Sequence, residues 1–299
     1  MTISFEGRVA VVTGAGGGLG RAYALELGRR GARVVAMDLG GGRDGSGNSD
    51  AAEKVAEEIR QEGGSAIASG ASVTDFAQVQ QMVAHAKEQW GAVHILINNA
   101  GILRDKSFAK MEMDDFGAVV NVHLIGSANC AKAVWETMRE QNYGRILMTS
   151  SSTGLYGNFG QANYGAAKLG VAGLARTLHL EGAKYNIRVN SLAPTAATRM
   201  TEDIFPPDLL GAFDPKHVVP AALFLVSEEA PSNMIIGAGA GVVQAAYVTL
   251  TPGYKLPEGK STVEEVAANW EKIIDRGGEI VPQSGGDQAM LILQTLRNP

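Results

Sequence analysis

Arg8-Val9-Ala10-Val11-Val12-Thr13-Gly14-Ala15-Gly16-Gly17-Gly18-Leu19-Gly20 is the stretch on which the reading of the fold turns. Val9 to Val12 is a short, wholly apolar, mostly β-branched run, the pattern of a strand buried on both faces. A glycine-rich turn follows at once, and from Leu19 the spacing becomes that of a helix reaching Gly31. In a strand–turn–helix unit of this kind, glycines let backbone N–H groups and the helix N-terminus face a pyrophosphate. The glycines alone would equally suit an ordinary tight turn; their position between strand and helix narrows the reading.

Outward from this unit, β-branched runs alternate with helix-period stretches. Strands are expected at Arg8–Thr13, Arg33–Asp38, Ser65–Ser69, His94–Asn98, Gly144–Ser150, Ile187–Leu192 and Met234–Gly239. Helices are expected at Leu19–Gly31, Ser49–Gln61, Asp75–Gln89, Asp114–Glu140, Ala162–Lys184 and Pro215–Ser227. This alternation predicts an α/β fold, a doubly wound, mostly parallel, seven-stranded sheet of Rossmann-like form with helices on both faces. Two segments depart from it. Gly40 to Ser49 reads as a flexible, glycine-rich loop. Residues 248–299 read as an extension to the 1–247 domain, with an amphipathic stretch Val263–Ile274 and a final segment Ala289–Leu296, packing on the same or a partner subunit because so short a piece buries little surface alone.

Composition excludes several classes. The chain has 299 residues, is 45% hydrophobic, and carries a net charge of -5, which argues against a nucleic-acid surface. The single cysteine, Cys130, rules out an internal disulfide framework and multi-cysteine metal sites. The five histidines form no metal-binding pattern, so no metal is expected and they read as surface or packing residues. There is no apolar run of about 20 residues and no leader or address is visible, so a soluble, cytoplasmic protein without membrane association is expected.

Asp38 ends the second strand 18 residues after Gly20. A carboxylate there accepts hydrogen bonds from a ribose hydroxyl and repels a 2′-phosphate, favouring NAD over NADP; a plain turn start is the alternative, and Arg43 is the nearest basic challenger. Asn98-Asn99-Ala100-Gly101 closes the fourth strand at the carboxyl edge of the sheet, where such folds bind ligands. Tyr164 and Lys168 stand four apart in a predicted helix, which places them on one face. An ammonium there favours the ionised phenol, equipping the tyrosine for proton exchange. Ser151 ends the fifth strand thirteen residues earlier, with Ser150 and Ser152 as rivals facing the opposite side.

Thr13 to Gly20, Asn98 to Gly101, Asn121, Ser151 and Tyr164 to Lys168 together resemble, in order and spacing, the motif set of the short-chain dehydrogenases/reductases, over about Phe5 to Gly241. The resemblance implies Tyr164 as general acid and base, Lys168 as holder of the nicotinamide ribose and electrostatic partner of Tyr164, and Ser151 as hydrogen-bond donor to the substrate oxygen. It implies that Asn121 bends its helix and anchors a water through its backbone carbonyl. Cofactor contacts are implied at Gly14, Gly18, Leu19, Gly20, Asp38, Ser72, Val73, Asn99, Gly101, Tyr164, Lys168, Pro194, Thr195 and Ala197. Ser72 stands where many members carry an adenine-binding aspartate, and Pro194-Thr195 replaces the common Pro-Gly.

Three stretches, Gly101–Asp105, Tyr156–Tyr164 and Ala193–Met200, together with the Gly40 to Ser49 loop, resemble a narrower group: the (3R)-hydroxyacyl-CoA dehydrogenase unit of peroxisomal multifunctional enzyme type 2 and its stand-alone bacterial relatives. That implies NAD-linked oxidation of a (3R)-3-hydroxyacyl-CoA in lipid metabolism by a homodimer or homotetramer. A 17β-type hydroxysteroid dehydrogenase is the alternative, and a non-catalytic dinucleotide sensor is the reading from another class.

Overall fold

Parallel strands form the centre of the protein, a computed structural model that describes residues 2–198, 208 and 210–297. β1 (Val9–Thr13) is buried at every position, as a strand covered by helices on both sides must be. It pairs in parallel with β2 (Arg33–Met37) and β4 (Ile95–Asn98). β2 pairs with β3 (Ser65–Ser69), and beyond β4 come β5 (Gly144–Thr149), β6 (Ile187–Pro194) and β7 (Ile235–Gly239), each parallel to the last. The order is β3-β2-β1-β4-β5-β6-β7-β8. The winding reverses between β1 and β4, which opens a crevice at their carboxyl ends.

The expected seven strands are corrected to eight. β8 (Val242–Ala246) follows β7 through a two-residue turn in which Ala240 and Gly241 have φ of 49° and 79°, the left-handed pair that a tight hairpin needs. Its residues are largely exposed, so it lacks both the buried run and the alternation by which a strand is read from sequence.

Neighbouring residues of each central strand feed opposite cores. Val12, Ile97 and Leu147 pack with Tyr23 and Leu27 of α1 (Gly18–Arg29), Ile59 of α2 (Ala51–Gln61) and Ala222 of α8 (Val219–Phe224). Val11, Leu96 and Ile146 face α3 (Phe76–Trp90), α5 (Gly126–Glu140) and α7 (Ala162–Gly182). α1 begins at Gly17 with no side-chain cap, leaving its first N–H groups directed at the crevice. Arg145, fully buried in β5, is neutralised in hydrogen-bonding terms by the carbonyls of Ser227, Gly144 and Asn186 at 2.8 to 2.9 Å.

The long helix expected from Asp114 to Glu140 contains a wide turn. α4 (Met113–Val120) leads into a π-helical turn, Asn121–Ile125, before α5, and the Gly126 N–H bonds the Asn121 carbonyl. A single extra residue re-aims the side chains that follow, which is why such turns mark functional positions.

The chain divides into two compact units, Met1–Ala245 and Ala246–Pro299. In the second, an antiparallel bridge joins Leu250 and Ile280. The amphipathic stretch is two short helices, α9 (Val263–Ala268) and α10 (Trp270–Ile273). They are separated at Asn269, whose amide bonds the Glu265 carbonyl at 2.9 Å. α11 spans Gly286–Arg297. No described helix is long and apolar enough to cross a membrane.

Candidate active site

Three consecutive residues at the end of β5 grip α7. The Thr149 carbonyl accepts from Lys168 Nζ at 2.6 Å, and Ser150 Oγ donates to the Lys168 carbonyl at 2.9 Å. Ser151 Oγ caps α6 (Ser152–Tyr156) by accepting from the Thr153 N–H at 3.1 Å, and it hydrogen-bonds the Tyr164 phenol. Of the three serines, the Ser150 hydroxyl is engaged by backbone, Ser152 is exposed, and Ser151 is the one beside Tyr164. α6 lies against α7 so tightly that a Cβ on Gly154 would stand 2.8 Å from the Leu169 nitrogen.

Tyr164 and Lys168 do share a face, with Nζ 5.5 Å from the phenol ring centre. Burial drives the Tyr164 phenol up from 10.0 to about 12, opposed by the Ser151 hydrogen bond. Burial likewise takes Lys168 down from 10.5 to about 7. In the protein alone, removal from water disfavours both charged forms.

Beside this cluster the crevice between β1 and β4 holds a cavity of about 390 Å³ lined by Gly14, Gly18, Leu19, Asp38, Ser72, Val73, Asn99, Gly101 and Asn121, with Ile102, Arg104 and Thr198. The turn has no room for side chains. A Cβ on Gly14, whose φ is 66°, would lie 2.8 Å from Ala100 Cα, so backbone forms the cavity floor as a pyrophosphate requires. Gly20 does not line the cavity; it stands behind the turn, where a Cβ would collide with the Gly14 carbonyl. Pro194, Thr195 and Ala197 also lie outside this lining. The Thr195 N–H bonds Ala238 and the Ala197 N–H bonds Phe213. Of the Ala193–Met200 stretch, Arg199 and Met200 lie outside the described residues.

Asp38 holds the turn as well as facing the cavity. Its Oδ2 accepts from the Gly16 N–H at 2.7 Å and its Oδ1 from the Gly40 N–H at 2.6 Å. The Gly40 to Ser49 loop is tied to the neighbouring 102–104 segment, since the Leu103 N–H bonds the Arg43 carbonyl at 2.9 Å and Arg104 Nε bonds the Asp44 carbonyl at 3.2 Å. A bare backbone floor, a carboxylate facing the cavity and a helix N-terminus together fit a dinucleotide.

Three further residues hold the site together. Thr13 Oγ1 accepts from the Asn99 and Ala100 N–H groups at 2.9 and 3.0 Å, joining β1 to β4 across the crevice. Asn163, fully buried, accepts the Tyr164 N–H on Oδ1 at 2.7 Å and donates from Nδ2 to the Arg104 carbonyl at 3.1 Å. His123 is a buried ring packed edge-on to Tyr164 at 5.1 Å. An isolated polar residue in an apolar helix reads as packing; only its partners, distant in sequence, reveal it. Cys130 is buried, with its thiol pushed up to about 12 by burial, as an inert core thiol is.

Residues 8–208 match the short chain dehydrogenase family. The chain is 49% identical over 275 residues to a short-chain type dehydrogenase/reductase of Mycobacterium tuberculosis, covering 91% of this chain and 96% of that protein. It superposes on the full-length peroxisomal multifunctional enzyme type 2 of Drosophila melanogaster with TM-score 0.84 and 37% identity, covering 99% of this chain and 50% of that one. The chain thus spans about half the length of that multifunctional relative. It is also similar to a 7α-hydroxysteroid dehydrogenase complexed with NADH and 7-oxo glycochenodeoxycholic acid, with TM-score 0.72 and 29% identity, covering 81% of this chain and 96% of that one.

Proposed function

The chain belongs to the short chain dehydrogenase family, and on that premise we propose that it interconverts a (3R)-3-hydroxyacyl-CoA and the 3-ketoacyl-CoA with NAD. It is an oxidoreductase that uses a nicotinamide dinucleotide on a small-molecule substrate. The observation that carries the reading of coupled hydride and proton transfer is the cluster of Ser151 after β5 with Tyr164 and Lys168 of α7, next to the dinucleotide cavity.

A bound nicotinamide supplies the hydride donor or acceptor. The protein's part is to bind, orient and manage one proton. Ser151 orients the substrate oxygen and the Tyr164 phenol together, placing a donor where negative charge grows. Tyr164, whose phenol keeps its proton in the buried site, gives that proton to a ketone oxygen, and takes it back from the hydroxyl in the reverse direction. Lys168, pinned by the Thr149 carbonyl, would hold the nicotinamide ribose, and the Asn121 carbonyl at the wide turn would anchor a water that completes a proton path to Lys168. Asp38 sets the preference for NAD.

Support for an acyl-CoA comes from the likeness to the multifunctional enzyme and from the apolar side chains beside the site. Phe108, Met113, Tyr156 and Phe159 are 69 to 89% exposed, and the Lys106 N–H bonds the Gly160 carbonyl at 3.0 Å to join the two segments that carry them. Such a rim suits an apolar substrate body. A sterol would suit it too, and the likeness to the hydroxysteroid dehydrogenase favours that second reading. We further propose a cytoplasmic homo-oligomer paired through the long helices that carry Asn121 and Tyr164, on which Ile125 of the π-helical turn and Leu169 and Leu180 of α7 expose about half their surface.

Turnover of purified protein with NADH on a panel of 3-ketoacyl-CoA thioesters and 17-ketosteroids tests the reading. Preference for thioesters supports it; preference for steroid ketones selects the second reading; turnover of neither rejects both.

A further inference from the structure

His123 occupies the third position of the π-helical turn, fully enclosed. Its Nε2 stands 3.1 Å from the Ile102 nitrogen and 2.8 Å from the Ile102 oxygen, so either neutral tautomer bonds the backbone of the cavity wall. The ring's edge meets Tyr164, with centroids 5.1 Å apart at 90°. Nδ1 is buried with no hydrogen-bond partner among the described residues. Burial, reinforced by the nearby Lys168 charge, holds the imidazole well below its usual 6.5, so the ring is neutral at working pH.

A residue present only to fill space would be a leucine or phenylalanine, neither of which strands a buried nitrogen. Histidine adds one thing here, the Nε2 contact. Gly101 is shaped to admit it, because a Cβ there would collide with His123 Cε1. The same ring thereby spans the two halves of the site: Gly101 and Ile102 line the dinucleotide cavity, and Tyr164 belongs to the proton-transfer cluster. The second half is held from the other side by Asn163, which bonds both the Tyr164 N–H and the Arg104 carbonyl.

We infer that His123 is a positioning residue, its Nε2 setting the Gly101–Ile102 wall against the dinucleotide and its ring edge setting the Tyr164 phenol. The Tyr164 half rests on the dehydrogenase reading above; the wall half does not.

Two substitutions separate the contacts. His123→Phe keeps an aromatic edge beside Tyr164 and removes Nε2, so the dissociation constant for NADH, read by its fluorescence, should rise about tenfold while kcat stays within about threefold. His123→Gln keeps a polar group at the Nε2 position and removes the ring, so kcat should fall about tenfold while NADH affinity stays within about threefold. Gly101→Ala, which displaces the imidazole, should weaken NADH binding like the phenylalanine variant and guards against misfolding of either. Parallel loss of affinity and kcat in both His123 variants, or no loss in either, overturns the inference. Should the wild-type protein turn over no thioester or steroid ketone, the proposed function fails while the NADH arm still decides the role of Nε2.

Discussion

The Lys168 ammonium is bonded by the Thr149 carbonyl oxygen at 2.6 Å, so the last residue of a sheet strand fixes a charge inside the helix packed over it. That charge is held at a cost, since burial lowers the Lys168 pKa from 10.5 to about 7. Between these two values the unfolded chain keeps the proton and the folded chain releases it, so stability rises with pH. Tyr164 and Cys130, whose pKa values are raised, work in the opposite direction only above 10.0 and 9.0, their ordinary values. Urea unfolding of the unliganded protein should therefore show higher stability at pH 9 than at pH 7, and Lys168→Met should flatten that difference. An equal gain in wild type and variant would remove Lys168 as its source.

Tyr164→Phe deletes the phenol proposed to exchange a proton with the substrate oxygen while leaving the ring against His123. We expect kcat to fall by about 10²- to 10⁴-fold, with NADH affinity within about twofold of wild type because the phenol lies outside the cavity lining. Near-normal turnover would sink the proton-transfer role.

Asp38→Ala should do two things at once, because its carboxylate bonds the Gly16 and Gly40 N–H groups as well as facing the cavity. The ratio of kcat/KM for NADP to that for NAD should rise about tenfold or more, as a like charge no longer opposes the 2′-phosphate. NAD should also bind less well, since the turn loses its brace. A ratio equal to wild type would move cofactor choice to other residues of the loop.

Glycines at two helical positions should respond with opposite signs. Gly20→Ala forces a Cβ into the Gly14 carbonyl and 2.6 Å from Asn99 Nδ2, so it should cost about 1–3 kcal/mol and abolish measurable NADH binding. Gly117→Ala, inside α4 with nothing near its Cβ position, should raise stability by about 0.5–1 kcal/mol through helix propensity. Denaturant midpoints and NADH titrations of the two variants read both effects.

Much of this site is legible in the chain because its parts are local. The glycine turn, Asp38 and the Tyr164–Lys168 pair each combine a residue type with a short spacing, and the backbone periods of strand and helix convert spacing into direction. β8 escaped that reading because an exposed edge strand bears no burial pattern. His123 escaped it because its meaning lies in Ile102 and Tyr164, which are 21 and 41 positions away in the chain.

The alternation of the seven parallel strands with helices, the crevice turn and the candidacy of Tyr164 and Lys168 are legible in the sequence alone, since hydrogen-bonding periodicity and side-chain chemistry act within a few residues. Which serine faces Tyr164, that burial raises the phenol's proton affinity, and that Asp38 braces the turn it borders were decided only by tertiary structure. Desolvation and hydrogen-bond satisfaction depend on what surrounds a group in space, and in this protein those surroundings come from β5, α6, α7 and the π-helical turn brought together from across the chain.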